Sequence, residues 1–136
     1  MKFLKLSIIT FSLLLSANIQ AGYYAPAPVE ITVYEDGAGE ARGSAASARF
    51  SDNDVEQIGC RVLGIAGAFT QVQCQASDSL GPLYSCASTD ANIVAAAQAA
   101  STYSWFLIEW NANNQCTLLL VSTKSFHIPT KNNKKE

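Results

Sequence analysis

Residues 104–123 read SWFLIEWNANNQCTLLLVST. Phe106, Ile108 and Trp110 alternate with Trp105, Leu107 and Glu109, the two-residue period of a strand with one face turned to a core. Asn111 to Asn114 supply a run of turn-forming side chains, and Gln115 to Thr123, carrying Leu118, Leu119, Leu120 and Val121, lead back as the second arm of a hairpin. An isolated hairpin does not hold in water. The rest of the chain must therefore supply further strands or a covering helix.

Both are predicted upstream. Ser88, Thr89 and Asp90 offer side-chain oxygens to start a helix over Ala91 to Ser101, with Ile93, Ala97 and Ala100 on one stripe. Small side chains there let a helix sit close on a sheet. Before it, Gln57 to Leu63 and Phe69 to Ala76 flank Gly64-Ile65-Ala66-Gly67, the pattern of a hairpin with a glycine-containing loop. A second turn, Ser77 to Pro82, leads into Leu83 to Ala87. The order strand, strand, strand, helix, strand, strand predicts an α+β domain over residues 55–126, a small antiparallel sheet of about five strands under one covering helix. Residues 22–54 read as a flexible lead rich in Pro, Gly, Ala and Ser. Ile31 and Val33 suit one short strand there, a short helix over Ala45 to Phe50 is compatible with the alanines, and Gly37 to Ala48 otherwise buries little apolar surface. Residues 127–136 form a basic tail with three lysines.

Residues 1–21 have the pattern of a secretory signal peptide. Lys2 and Lys5 precede an apolar run from Leu6 to about Ala17, and Ile19-Gln20-Ala21 offers a cleavage site after Ala21. The run is too short to cross a bilayer, which takes about 20 apolar residues, so no membrane anchor is expected after cleavage. The expected location is secreted or periplasmic.

Export decides how Cys60, Cys74, Cys86 and Cys116 are read. An even count in a small exported chain predicts two disulfides, whereas gaps of 14, 12 and 30 positions lack the close pairs of a zinc site. Symmetric hairpins place Cys74 opposite both Cys60 and Cys86. The pairings left open are Cys74 with Cys86 plus Cys60 with Cys116, which is preferred, or Cys60 with Cys74 plus Cys86 with Cys116.

Past residue 21 the chain has seven cations against eleven acids, a formal charge of −4. Seven of the acids fall between Glu30 and Glu56. Such a surface argues against nucleic-acid binding, which needs a basic face. Catalytic signals are thin. His127 is the only histidine and is expected to be an exposed bystander, no Gly-x-Ser-x-Gly elbow occurs, and Asp52 to Glu56 resembles the opening of a calcium loop without its glycine or distal glutamate. Asp78, Asp90 and Glu109 have no diagnostic spacing. No catalytic residue, metal or cofactor is assigned. The aromatic residues are the remaining candidates: Trp105 and Trp110, with Tyr84 and Tyr103, as a face that stacks on a glycan or peptide.

Ile58-Gly59-Cys60, Cys74-Gln75-Ala76-Ser77-Asp78, Gly81, Cys86-Ala87-Ser88-Thr89-Asp90 and Asn114-Gln115-Cys116-Thr117 together resemble a group of small exported four-cysteine bacterial proteins of unassigned function. The resemblance spans roughly Ser47 to Ser125. It implies a disulfide-stapled protein of a Gram-negative envelope or secretome, with no catalytic residue to carry over. The expected function is a non-enzymatic binding or interaction protein, an envelope or host-interaction factor with a protein or glycan partner; the alternative is a small secreted hydrolase or an enzyme inhibitor.

Overall fold

The computed structural model describes residues 23–129; residues 1–21, read from the sequence as a signal peptide, and the lysines of the expected basic tail at 131, 134 and 135 lie outside them. The order is β1 (Glu30–Val33), β2 (Gly39–Ser44), α1 (Ala45–Arg49), β3 (Gln57–Gly64), β4 (Thr70–Ser77), β5 (Tyr84–Ser88), α2 (Ala91–Gln98), β6 (Trp105–Trp110), β7 (Cys116–Ser122) and a 3₁₀ turn at Ser125–His127. The strands form two antiparallel sheets, β1-β2-β6-β7 and β3-β4-β5. Seven strands in two sheets with two helices thus replace the single five-stranded sheet and one helix expected from the sequence. No helix among the described residues is long and apolar enough to cross a membrane.

The hairpins form where the periodicity places them. β6 pairs with β7 in the register Phe106 to Val121 and Ile108 to Leu119, with an irregularity at Glu109 and Trp110. Asn114, at φ 56°, takes the left-handed position of the intervening turn, which asparagine tolerates better than most residues. β3 and β4 pair from Gln57–Ser77 to Gly64–Thr70. α2 starts where Asp90 accepts from the N–H groups of Asn92 and Ile93. It packs with Val94 and Ala97 in the core and ends at Gln98, three residues short of expectation. There the Ser101 N–H donates to Ser104 Oγ instead of continuing the helix.

The larger departure is the lead. The short strand expected at Ile31 and Val33 and the short helix allowed over Ala45 to Phe50 form as β1 and α1, but β2, in a stretch expected to bury little, is an interior strand between β1 and β6. Gly39-Glu40-Ala41-Arg42-Gly43-Ser44 has almost no intrinsic strand preference. Its glycines are nevertheless what the packing requires. A methyl group built at Gly39 would lie 2.6 Å from Cζ2 of Trp110 and 2.5 Å from the Thr32 carbonyl oxygen, and one at Gly43 would lie 2.9 Å from Cα of Val29. The proline-punctuated stretch before β1 is docked as well. The Ala27 N–H donates to Ser47 Oγ, the Ser44 N–H to the Ala27 carbonyl, and the Val29 N–H to Glu56 Oε1. Val29 itself is buried in the core.

The two sheets meet at one point on their edges. Ala87 of β5 forms a parallel bridge to Gln115, just before β7, and its N–H donates to the Asn114 carbonyl at 3.1 Å. Between the sheets lies one core: Ala41, Phe106, Ile108, Trp110 and Leu119 from the first, and Ile58, Val72, Cys74, Ala76 and Cys86 from the second.

The bonds are Cys60–Cys74 and Cys86–Cys116, which corrects the preferred pairing. Strand order is the reason. Cys74 faces Cys60 on one side and Cys86 on the other, but Cys60 stands on the outer strand β3, on the far side of β4 from β5 and β7. Cys86, beside the bridge to Gln115, has its Cα 5.0 Å from that of Cys116. The Cys60–Cys74 bond therefore locks one hairpin, and Cys86–Cys116 fastens the two sheets together.

Candidate recognition surface

Alternation along β6 decides which aromatic residues can face a partner. Phe106, Ile108 and Trp110 turn inward, whereas Trp105, Leu107 and Glu109 turn outward and are half-buried. Trp105 and Trp110 are thus on opposite faces. Trp110 is 5 % exposed and stacks on Tyr84, with centroids 5.7 Å apart and planes 19° apart. It and Tyr84 belong to the core side of the sheet. Tyr103 is exposed in the loop before β6. The four aromatics expected to share one recognition face do not share it, and only Trp105 lies on the outward face of the strand.

The register assembles that outward face. Leu107 lies opposite Leu120, Glu109 opposite Leu118 and Trp105 opposite Ser122; on the other side Leu107 lies opposite Arg42 and Glu109 opposite Glu40. Residues opposite each other in an antiparallel pair point to the same side. The result is an apolar strip of Trp105, Leu107, Leu118 and Leu120 bordered by charge. Arg42 is held by Glu30 of β1, with Nη2 to Oε2 at 2.7 Å and Nε to the same oxygen at 2.9 Å. That hydrogen bond, then the charge of Glu30, raises the Arg42 pKa above its ordinary value. Beside it a shallow groove of about 370 Å³ is lined by Pro26, Ala27, Pro28, Glu30, Arg42, Gly43 and Trp105.

The end of this face near Trp105 is covered by the Ser125–His127 turn and the segment around Tyr23 and Ala25. The Ser125–His127 turn brings the His127 ring over Trp105, 6.3 Å between centroids with planes 15° apart. Phe126 packs on His127 at 4.3 Å and on Tyr23 at 6.4 Å, and the Ala25 N–H donates to the Phe126 carbonyl at 3.0 Å. His127, expected as an exposed bystander, is 6 % exposed. The sequence placed it in a polar tail; the turn folds it back onto an aromatic platform that alternation alone does not locate.

Nδ1 of His127 is buried without a hydrogen-bond partner among the described residues. Burial lowers the His127 pKa below its ordinary value, and Lys124 lowers it further. The unfolded chain therefore takes up this proton at a higher pH than the folded protein does. Stability contributed by neutral His127 is fully present above the ordinary imidazole pKa, about 6.5, and is lost as pH falls from there toward the lowered folded value. The melting temperature should drop between pH 7.5 and 5 more steeply in the wild type than in His127→Phe, as measured by differential scanning calorimetry. Parallel curves would mean that the group contributes nothing to the pH dependence.

The carboxylates considered for chemistry do not converge. Asp78 Oδ1 accepts from the Leu80 N–H in the β4–β5 turn, Asp90 caps α2, and Glu109 lies on the outward face of β6. Among the described residues no three His, Cys, Asp or Glu side chains stand together as a metal site. The stretch resembling a calcium loop is a turn whose Asn53 and Glu56 side chains are taken up by main-chain and side-chain partners. Asn53 Oδ1 accepts from the N–H groups of Val55 and Glu56, and the Glu56 carboxylate holds Asn53 Nδ2 and the Val29 N–H. Comparison with known protein families, curated proteins and solved structures finds no match to this chain.

Proposed function

We propose that the protein is an exported, non-enzymatic binding module of the cell envelope or secretome, which engages a protein or glycan partner through the outward face of β1-β2-β6-β7. The observation that carries this reading is the strip of Leu107, Leu118 and Leu120 next to Trp105, on the side of the sheet opposite the core. The core lies between the two sheets, so the apolar strip on the other face is surface that the core does not account for. Two disulfides among the described residues suit an oxidising compartment.

Two measurements test the proposal. Fractionation of cells expressing the full chain should find it outside the cytoplasm with all four cysteines bonded; a cytoplasmic chain with free thiols would sink the export reading. A photo-reactive side chain replacing Leu120 should then yield a covalent adduct with a partner in situ, while one replacing Asn92, on the exposed side of α2, should not. Equal yields from both sites, or none from either, would reject this face as the contact.

A further inference from the structure

The β3–β4 hairpin extends beyond the core. Every residue from Arg61 to Thr70 is exposed, and Leu63, Ile65 and Phe69 are 50, 46 and 47 % exposed. Gly64, Ala66, Gly67 and Ala68 lie between them, so the tip is narrow and wholly apolar. Its main chain closes on itself. The Ile65 N–H donates to the Phe69 carbonyl at 2.9 Å and the Ala68 N–H to the Ile65 carbonyl at 3.0 Å, with Gly67 at φ 73° completing the reversal. These two bonds reduce the number of main-chain groups that an interfacial medium would have to desolvate.

Charge is distributed to match. No ionisable side chain occurs between Arg61 and Asp78 other than the bonded Cys74. Arg61, opposite Gln73, makes no ion pair among the described residues. It stands three positions before the strand end at Gly64, about 10 Å at the rise of a β-strand, which places a guanidinium near headgroup level when the tip sits at the depth of about 5–10 Å typical of interfacial segments. The acids Asp52, Asp54 and Glu56 precede Gln57 at the other end of β3, about 23 Å from Gly64, more than two Debye lengths at physiological ionic strength. The acid closest to the tip by register is Asp90, two residues past Ser88, which faces Val72. Its carboxylate is turned onto the first N–H groups of α2.

We propose that this hairpin is a shallow docking tip for an anionic lipid surface. Leu63, Ile65 and Phe69 enter the boundary between headgroups and acyl chains, and Arg61 meets a headgroup phosphate. A convex, self-bonded tip with one cation set back from it suits a bilayer better than the groove of a protein partner, and the acids at the far end of β3 are kept away from the like charge of the membrane.

Vesicle flotation tests the proposal, using the full chain purified as the cell processes it. Vesicles of phosphatidylglycerol and phosphatidylcholine in equal parts should carry the wild type upward. Ile65→Asp should reduce the bound fraction at least about ten-fold, and Arg61→Gln by about five-fold on these vesicles with little effect on pure phosphatidylcholine. Phe69→Ser provides a second apolar test should Ile65→Asp fail to fold, with intact disulfides and an unchanged near-ultraviolet spectrum as the criterion for each variant. The proposal is overturned by wild-type protein that does not float, by Ile65→Asp or Phe69→Ser protein that is folded and floats as well as wild type, or by a dimer in sedimentation whose contact covers the tip.

Discussion

Replacing Cys86 and Cys116 together by alanine should destabilise the protein by about 3.5 kcal/mol, and replacing Cys60 and Cys74 by about 3 kcal/mol, on the chain-entropy account of loops separated by 30 and 14 positions. The architecture widens that small difference. Cys60 and Cys74 join strands already paired along eight positions of ladder, so their hairpin keeps its register without the bond. Cys86 and Cys116 join two sheets that otherwise share one bridge along their edges, at Ala87 and Gln115. A small domain is stable by about 5–15 kcal/mol, so losing this fastening removes a large share of the total. Guanidinium unfolding of the two double variants measures the difference. A Cys60/Cys74 variant less stable than the Cys86/Cys116 variant would show that the hairpin, and not the junction of the sheets, depends on its staple.

Trp110→Ala should cost about 3–5 kcal/mol, the range for deleting a large buried aromatic side chain, whereas Trp105→Ala should cost about 1 kcal/mol, since it removes a half-buried ring from the outward face. Trp110 fills three roles at once. It covers Gly39, stacks on Tyr84 and closes the core end of β6. Its removal leaves β2, a strand of glycine, alanine and short polar side chains, without the surface that holds it in place. The pair of variants also separates stability from recognition. Trp105→Ala should weaken partner capture with a modest drop in the denaturation midpoint, and Trp110→Ala should lower the midpoint several times more while leaving the outward side chains in place. Equal midpoints for the two would contradict the assignment of their faces.

These expectations divide between what local sequence shows and what it hides. β3 to β7 and α2 follow from periodicity and capping because each carries its own signal: alternating residues on β6, Asp90 before an alanine-rich run, glycine at the tip of a hairpin. β2 carries none. Gly39 and Gly43 read as flexibility when the chain is taken alone, yet they are required by Trp110, 71 positions away, and by Val29. A residue chosen for the volume that its neighbour occupies has no local pattern. The same reason explains His127, whose burial depends on Trp105 lying beneath a turn that the sequence marks only as polar.

Read alone, the chain shows four cysteines, an even count that suits two disulfides, and strands that pair mostly as hairpins, while its grouping of Trp105 with Trp110 on one face is corrected by the alternation along β6. Which cysteines bond is set by strand order in space, because Cys74 faces two partners and that order removes one of them. The tertiary structure likewise decided that residues before Val55 belong to the sheet, and that Leu107, Leu118 and Leu120 form one outward strip. Local preference fixes the elements through interactions within a few residues; the pairing of sheets depends on contacts between residues far apart in the chain.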